Sequence, residues 1–230
     1  MLTKGEALED SEAEKQTIAK YFERNYLPYF PSNKECMIAD IGCGKGNFLY
    51  ACQKQGYKNI IGIDLSEQNI NYCKKQDYPC IQSEGLEYLK SNKNTLDVII
   101  FNDVIEHLTK DEVLEMILAM KDALRENGKV FVKTLNMANP YTGPACLYID
   151  FTHETGYTEM NLVQIFENLG FADVMVFGAD IYVFKGFVNF AAKIMSKMIC
   201  RSLRFKSHLF GRKSIKIFEK SLICVAQKGV

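Results

Sequence analysis

An apolar run that ends in an acid and three alternate glycines, Met37-Ile-Ala-Asp-Ile-Gly-Cys-Gly-Lys-Gly46, constrains this chain more than any other segment. Asp40, Gly42, Gly44 and Gly46 form the pattern D-x-G-x-G-x-G. Glycines lack a Cβ, so the backbone can turn sharply at the end of a strand and a ligand can approach it closely. The segment therefore reads as a strand that passes through a ligand-binding turn into a helix. The next apolar run, Asn59-Ile-Ile-Gly-Ile-Asp64, closes on a second acid. A carboxylate about 20 residues beyond a glycine turn can accept hydrogen bonds from both hydroxyls of a ribose. An adenosine-containing ligand is implied.

The dinucleotide fingerprint G-x-G-x-x-G is the nearest competitor, and it needs a third glycine to pack helix on strand. Asn47 stands there instead. Asp40 points the same way, because a carboxylate beside the loop suits an ammonium or sulfonium group and repels a pyrophosphate. With Asp64, this set resembles the class I S-adenosylmethionine-dependent methyltransferases. The resemblance implies S-adenosylmethionine as cofactor, held by Asp40, Gly42, Gly44, Gly46, Asp64 and the adjoining Leu65, with S-adenosylhomocysteine as product. It covers roughly residues 30–180 and the last strand.

Alternating elements support the same fold class. Periodicity and turn residues predict strands at 36–41, 59–64, 79–82, 96–102, 129–135, 171–178 and 221–227. Helices are expected at about 6–26, 46–55, 67–76, 110–125 (closed by Asn127-Gly128) and 158–169 (closed by Gly170). Such β/α alternation argues for a doubly wound, mostly parallel seven-stranded sheet within a single domain. The resemblance implies that the last strand inserts antiparallel beside 171–178.

Ligands of doubly wound sheets lie beyond the carboxyl ends of the strands. There, Ser83-Glu-Gly-Leu86 is similar to the family's Gly-Asp-Ala-x-x-Leu segment, which places Glu84 at the adenine amino group with Gly85 and Leu86 flanking the ring. Glu84 as a helix cap is the alternative. The run Asn102-Asp-Val-Ile-Glu-His-Leu108 is similar to the V-x-E-H-L segment of small-molecule methyltransferases. By that match Asn102 and Asp103 sit near the sulfonium, Glu106 and His107 open the next helix, and His107 joins the expected cofactor-binding residues. Methyltransferases of nucleic-acid amino groups typically carry [D/N]-P-P-[Y/F] after the fourth strand. Asn102-Asp103-Val104-Ile105 stands there, so no nucleic-acid partner is expected; Asn139-Pro140-Tyr141 follows the fifth strand and carries no weight as that motif.

A long loop, 136–157, precedes helix 158–169, and loops beyond about 12–15 residues in compact domains are usually functional. Its segment Asp150-Phe-Thr-His-Glu-Thr-Gly-Tyr-Thr158 resembles the D-x-T-H-x-x-x-[F/Y]-T segment of a branch that accompanies surface-glycan and secondary-metabolite synthesis. Methyl transfer asks the protein for alignment, plus a base when the acceptor is a hydroxyl. His153 is the candidate base, with Asp150 or Glu154 orienting its ring. The alternative is that His153 and Asp150 only pin the loop. Asp103, Asp150 and Glu154 are the carboxylates that could converge on a cation, but no spacing enforces such a site and no metal is expected.

The chain has 28 basic and 28 acidic residues, unevenly placed. From Ile181 to Phe218 there are nine cations and no acid, so the remainder carries minus nine. Within this basic insert, 183–214, Phe190, Ile194, Met198, Ile199 and Leu203 recur at helical spacing. A cationic amphipathic helix suits an anionic membrane surface, or a lid on a phosphorylated acceptor such as a nucleotide sugar or lipid-linked glycan. Packing on the sheet or on a dimer partner is the alternative. Eight cysteines without C-x-x-C fit reduced core thiols, and the polar start lacks a secretory signal, so the expected compartment is the cytoplasm, with peripheral contact at the inner membrane face through 187–210. The expected reaction is O-methylation of a small molecule or glycan precursor. A quinone or lipid-like aromatic methyltransferase and a silent methyltransferase-like binding domain are the rivals.

Overall fold

The computed structural model describes residues 12–180, 186–212 and 214–229. Residues 6–11 of the expected first helix, and Lys185 and Lys213 of the basic insert, lie outside the described residues. One seven-stranded sheet organises the chain, in the order β3-β2-β1-β4-β5-β7-β6. Its strands are β1 (Met37–Ile41), β2 (Asn59–Asp64), β3 (Cys80–Gln82), β4 (Leu96–Asn102), β5 (Leu124–Leu135), β6 (Phe171–Gly178) and β7 (Ser221–Lys228). Pairing is parallel from β3 to β5, and β7 runs antiparallel between β5 and β6. The helices are α1 (Glu12–Asn25), α2 (Asn47–Lys54), α3 (Glu67–Lys75), α4 (Gly85–Ser91), α5 (Lys110–Ala123), α6 (Gly143–Ile149), α7 (Glu159–Asn168) and α8 (Gly186–Leu209).

Both faces of the sheet are buried, which is why its central strands read as continuous apolar runs rather than alternating ones. On β4, Ile99 and Phe101 enter one cluster with Val113, Ile117, Met120, Leu162 and Phe166 of α5 and α7. Val98 and Ile100 enter the other, with Phe22 of α1, Tyr26 just beyond it, and Leu49 and Cys52 of α2. Each such side chain contributes about 1.5–3 kcal/mol on burial. Rings fix α1: Phe22 stacks on Tyr26 at 5.8 Å, and Tyr26 meets Phe48 of α2 edge-on at 4.6 Å and Phe131 of β5 at 5.8 Å. Six of the eight cysteines are buried.

Several expectations change. Helix α5 stops at Ala123, and Leu124 already pairs with Leu96. Asn127, at φ +62°, sits in an irregularity of β5 rather than closing a helix. Helix α4 was not anticipated, because seven residues with a leading glycine give too little periodicity. The 136–157 loop contains α6, whose Pro144 stands in the first turn, where a missing N–H costs nothing. Glu106 and His107 form a 3₁₀ turn, Ile105–His107, and do not open α5; that helix begins after Thr109, in a capping box with Glu112.

Candidate active site

The strand order reverses between β1 and β4, and a cavity of about 370 Å³ opens there, beyond the carboxyl ends of both strands. Crevices at such reversals are where open α/β sheets bind ligands. Asp40, Gly42, Cys43 and Gly44 line it from β1 and its loop, and Asn102 and Asp103 from β4. Register brings Lys133 of β5 beside Asn102, and α1 lays Thr17, Ile18 and Tyr21 along the cavity.

The glycine loop turns through positive φ at Gly42 (+76°), Gly44 (+53°) and Gly46 (+77°). A Cβ on Gly42 would stand 2.5 Å from Val104 Cγ2, whereas one on Gly44 would meet nothing within 4 Å. Gly42 is therefore required by packing, and Gly44 leaves its open side toward a ligand. Gly46 lies at the start of α2 and faces Tyr78 and Cys73.

Asp64 binds the same loop. One of its oxygens accepts from Gly44 N at 2.8 Å, and the other from Ser66 N at 2.8 Å and Asn69 Nδ2 at 3.2 Å. A carboxylate has about four acceptor sites, so these bonds orient Asp64 without exhausting it. Asp40 is 4% exposed, and its pKa is pushed up to about 8, first by burial and then by the neighbouring Cys73 and Asp64. A carboxyl held this way gains from a cation arriving beside it.

Tyr26 donates its hydroxyl to Asn102 Oδ1 at 2.8 Å, which leaves Nδ2 of that amide buried without a partner. The Tyr21 hydroxyl is orphaned in the same cavity. Buried donors rarely go unmet, so both mark positions for ligand oxygen or nitrogen atoms. Asp103, at φ +53°, pairs with Lys133.

A family model described as a methyltransferase domain matches residues 12–176. The chain belongs to that family. It is a class I S-adenosylmethionine-dependent methyltransferase. It is 24% identical to a crystal structure of an Archaeoglobus fulgidus SAM-dependent methyltransferase, with a TM-score of 0.70 over 93% of this chain and 94% of that one. A Haemonchus contortus phosphoethanolamine N-methyltransferase 2, solved with S-adenosyl-L-methionine, shares the fold at a TM-score of 0.64 and 14% identity, over 96% of this chain and 58% of that one. Among curated proteins, a tRNA U34 carboxymethyltransferase of Cellvibrio japonicus is 29% identical over 47% of this chain and 35% of that protein. One from Helicobacter pylori is 27% identical over 49% and 46%. The chain thus aligns with less than half the length of these relatives.

The methyltransferase's remaining expected residues lie outside the cavity lining but at the same edge of the sheet. Leu65 is 68% exposed beside Asp64. Glu84 occupies the N-cap position of α4, as the helix-cap alternative has it, where a carboxylate suits the helix dipole, but its side chain makes no capping hydrogen bond. Gly85 packs against Ile41, where a Cβ would come within 2.5 Å of Cγ2, and Leu86 packs on the core.

The acceptor loop docks on the turn after β4: the Glu154 and Thr155 N–H groups donate to the Glu106 carbonyl at 2.8 and 3.2 Å. The Glu106 side chain is buried, accepts from Thr134 Oγ1 at 3.0 Å, and has its pKa raised by that burial. His107 and His153 face each other at 4.6 Å between ring centroids. Asp150 does not orient His153. Its Oδ1 is taken by the N–H and hydroxyl of Thr152, which hold its carboxyl below the usual range, and Thr152 Oγ1 lies 2.8 Å from His107 Nδ1. His153 Nδ1 instead faces the carbonyls of Cys146 and Leu147 at 3.1 and 3.0 Å. Carbonyls only accept, so this nitrogen carries the proton and Nε2 of the neutral ring is left as an acceptor. Among the described residues no three metal-ligating side chains converge. Sequence reasoning missed Lys133, although a lysine inside an apolar strand was a signal, and it missed Thr17, Ile18 and Tyr21, for which only the docking of α1 is informative.

Proposed function

We propose that the enzyme methylates a hydroxyl of a small molecule or glycan precursor. The observation that carries this reading is His153, on the loop docked at the cofactor edge of the sheet, with Nδ1 facing two carbonyls that can only accept, a geometry that assigns the acceptor role to Nε2. A hydroxyl acceptor needs a base of this kind. The bound cofactor supplies a methyl carbon already activated by its sulfonium. Asp40 stabilises cationic character next to the loop, the Asn102 amide and Tyr21 hydroxyl orient polar atoms in the cavity, and Asp64 holds the ribose. Leu65, Glu84, Gly85 and Leu86 frame the adenine. His153 Nε2 takes the hydroxyl proton as the oxygen aligns, while Asp150, through Thr152, fixes His107 beside it.

A second reading, carboxymethyl transfer to tRNA from a carboxylated form of the sulfonium cofactor, rests on the names of the relatives from Cellvibrio japonicus and Helicobacter pylori. Turnover to S-adenosylhomocysteine should be assayed with nucleotide sugars, glycan fragments, quinones and unmodified tRNA. Product with a hydroxyl acceptor and its loss in His153→Ala support the first reading. Turnover with tRNA alone replaces it, and cofactor binding without turnover on any acceptor favours a silent binding domain.

A further inference from the structure

Helix α8 is mounted inside out. Its buried or half-buried positions are Asn189, Ala191, Ala192, Lys193, Cys200, Leu203 and Ser207, of which Asn189, Lys193, Cys200, Leu203 and Ser207 repeat at i, i+4, i+11, i+14 and i+18. This inner stripe is mostly polar or small. It borders a cavity lined by Asp180 and Glu219, and is tied down by Lys193 to Asp180 at 2.7 Å and by Arg204 Nε to the Lys216 carbonyl at 2.8 Å. Phe187, Phe190, Ile194, Met198, Phe205 and Leu209 form a second stripe at the same repeat, with Phe187 81% and Phe205 65% exposed. At 100° per residue the two stripes lie roughly 150° apart. The alternative that the apolar face packs on the sheet does not hold for this helix: Phe190, Ile194, Met198 and Ile199 are all exposed, whereas Leu203 lies on the inner stripe.

A contiguous apolar stripe of this length marks an interaction surface. We infer that α8 lies on an anionic lipid surface, its apolar stripe entering the headgroup boundary. Charge decides the occupant. The helix contains no acid, and Lys197, Arg201 and Arg204 flank the stripe on one side and Lys206 on the other. A two-fold pair of α8 helices would set like charges against each other, whereas anionic headgroups neutralise both flanks. No described helix is long and apolar enough to cross a membrane, so the helix lies along the surface.

The test is sedimentation of the full chain with vesicles of phosphatidylcholine alone or with 30% phosphatidylglycerol (about one lipid in three). The expected result is binding to the anionic vesicles only, weakening as salt shortens the Debye length from ~10 Å at 0.1 M to ~3 Å at 1 M. Removing one cation should lower partitioning about 5-fold, so Lys197→Gln with Arg201→Gln should lower it about 30-fold. Phe190→Ser with Met198→Ser should abolish it. All four side chains are exposed, so thermal unfolding and cofactor affinity should stay at wild type in both variants, which separates this result from any failure of the catalytic reading. No binding at low salt, equal binding to neutral vesicles, or a dimer in light scattering that the serine variant dissociates would each overturn the inference.

Discussion

Cofactor affinity should rise steeply with pH below neutrality, because Asp40 must give up a proton when a cation binds. Burial and the nearby Cys73 and Asp64 push its pKa to about 8 in the ligand-free protein. If the complex requires the carboxylate, each pH unit below 8 lowers affinity about tenfold, or about 1.4 kcal/mol. From pH 7 to 5.5 the loss is about 30-fold, roughly 2 kcal/mol. That window lies below the α-amino range of about 7.7–8.0, so the amino group of the cofactor stays charged throughout. Titration calorimetry at pH 5.5, 6 and 7, in buffers of different ionisation enthalpy, should give the slope and the release of about one proton per site. Asp40→Asn should bind weakly with no slope. Stability of the ligand-free protein should run the other way. A carboxyl with a raised native pKa contributes fully below its unfolded value, near 3.8, and its contribution is lost as pH rises toward 8. A wild-type affinity that is flat from pH 5.5 to 7, without proton release, would refute the reasoning by showing Asp40 ionised before the cofactor arrives.

Gly42→Ala and Gly44→Ala should separate packing from binding: both incur about 1–2 kcal/mol for the left-handed backbone, but only Gly42 adds the Val104 clash. Thermal unfolding should therefore fall further in Gly42→Ala, while Gly44→Ala loses cofactor affinity with only the backbone cost in stability; the reverse order would remove the open-side argument. Asp64→Ala should lower cofactor affinity by about 1.5–3 kcal/mol by calorimetry, and should also lower the melting temperature because Gly44, Ser66 and Asn69 lose their acceptor. Unchanged affinity would take Asp64 out of the site. His153→Ala should reduce kcat about 10²–10⁴-fold on a hydroxyl acceptor, with cofactor affinity within a few-fold, and wild-type kcat would leave His153 as a loop anchor.

The sequence alone determined the sheet and the cofactor loop, because both rest on local patterns. Apolar runs such as Leu96–Asn102 are dictated by burial on two faces, and the alternate glycines by a turn that few other residues adopt. It also marked Asp40 and Asp64, since a carboxylate closing a buried strand must find partners that the apolar run does not supply. Tertiary structure decided what depends on non-local contact. Nothing in the spacing of Asp150 and His153 shows that Thr152 takes the carboxylate while the carbonyls of α6 take the imidazole. Tyr21 reaches the cavity because the rings of Phe22, Tyr26 and Phe131 dock α1 over β5, and Lys133 because the β4–β5 register sets it beside Asn102. The helical period of 187–205 was legible, but periodicity fixes which residues share a stripe and not which stripe meets the body. Buried Asn189 and Cys200, with the ion pair from Lys193 to Asp180, settled that orientation and left the apolar side of α8 outward.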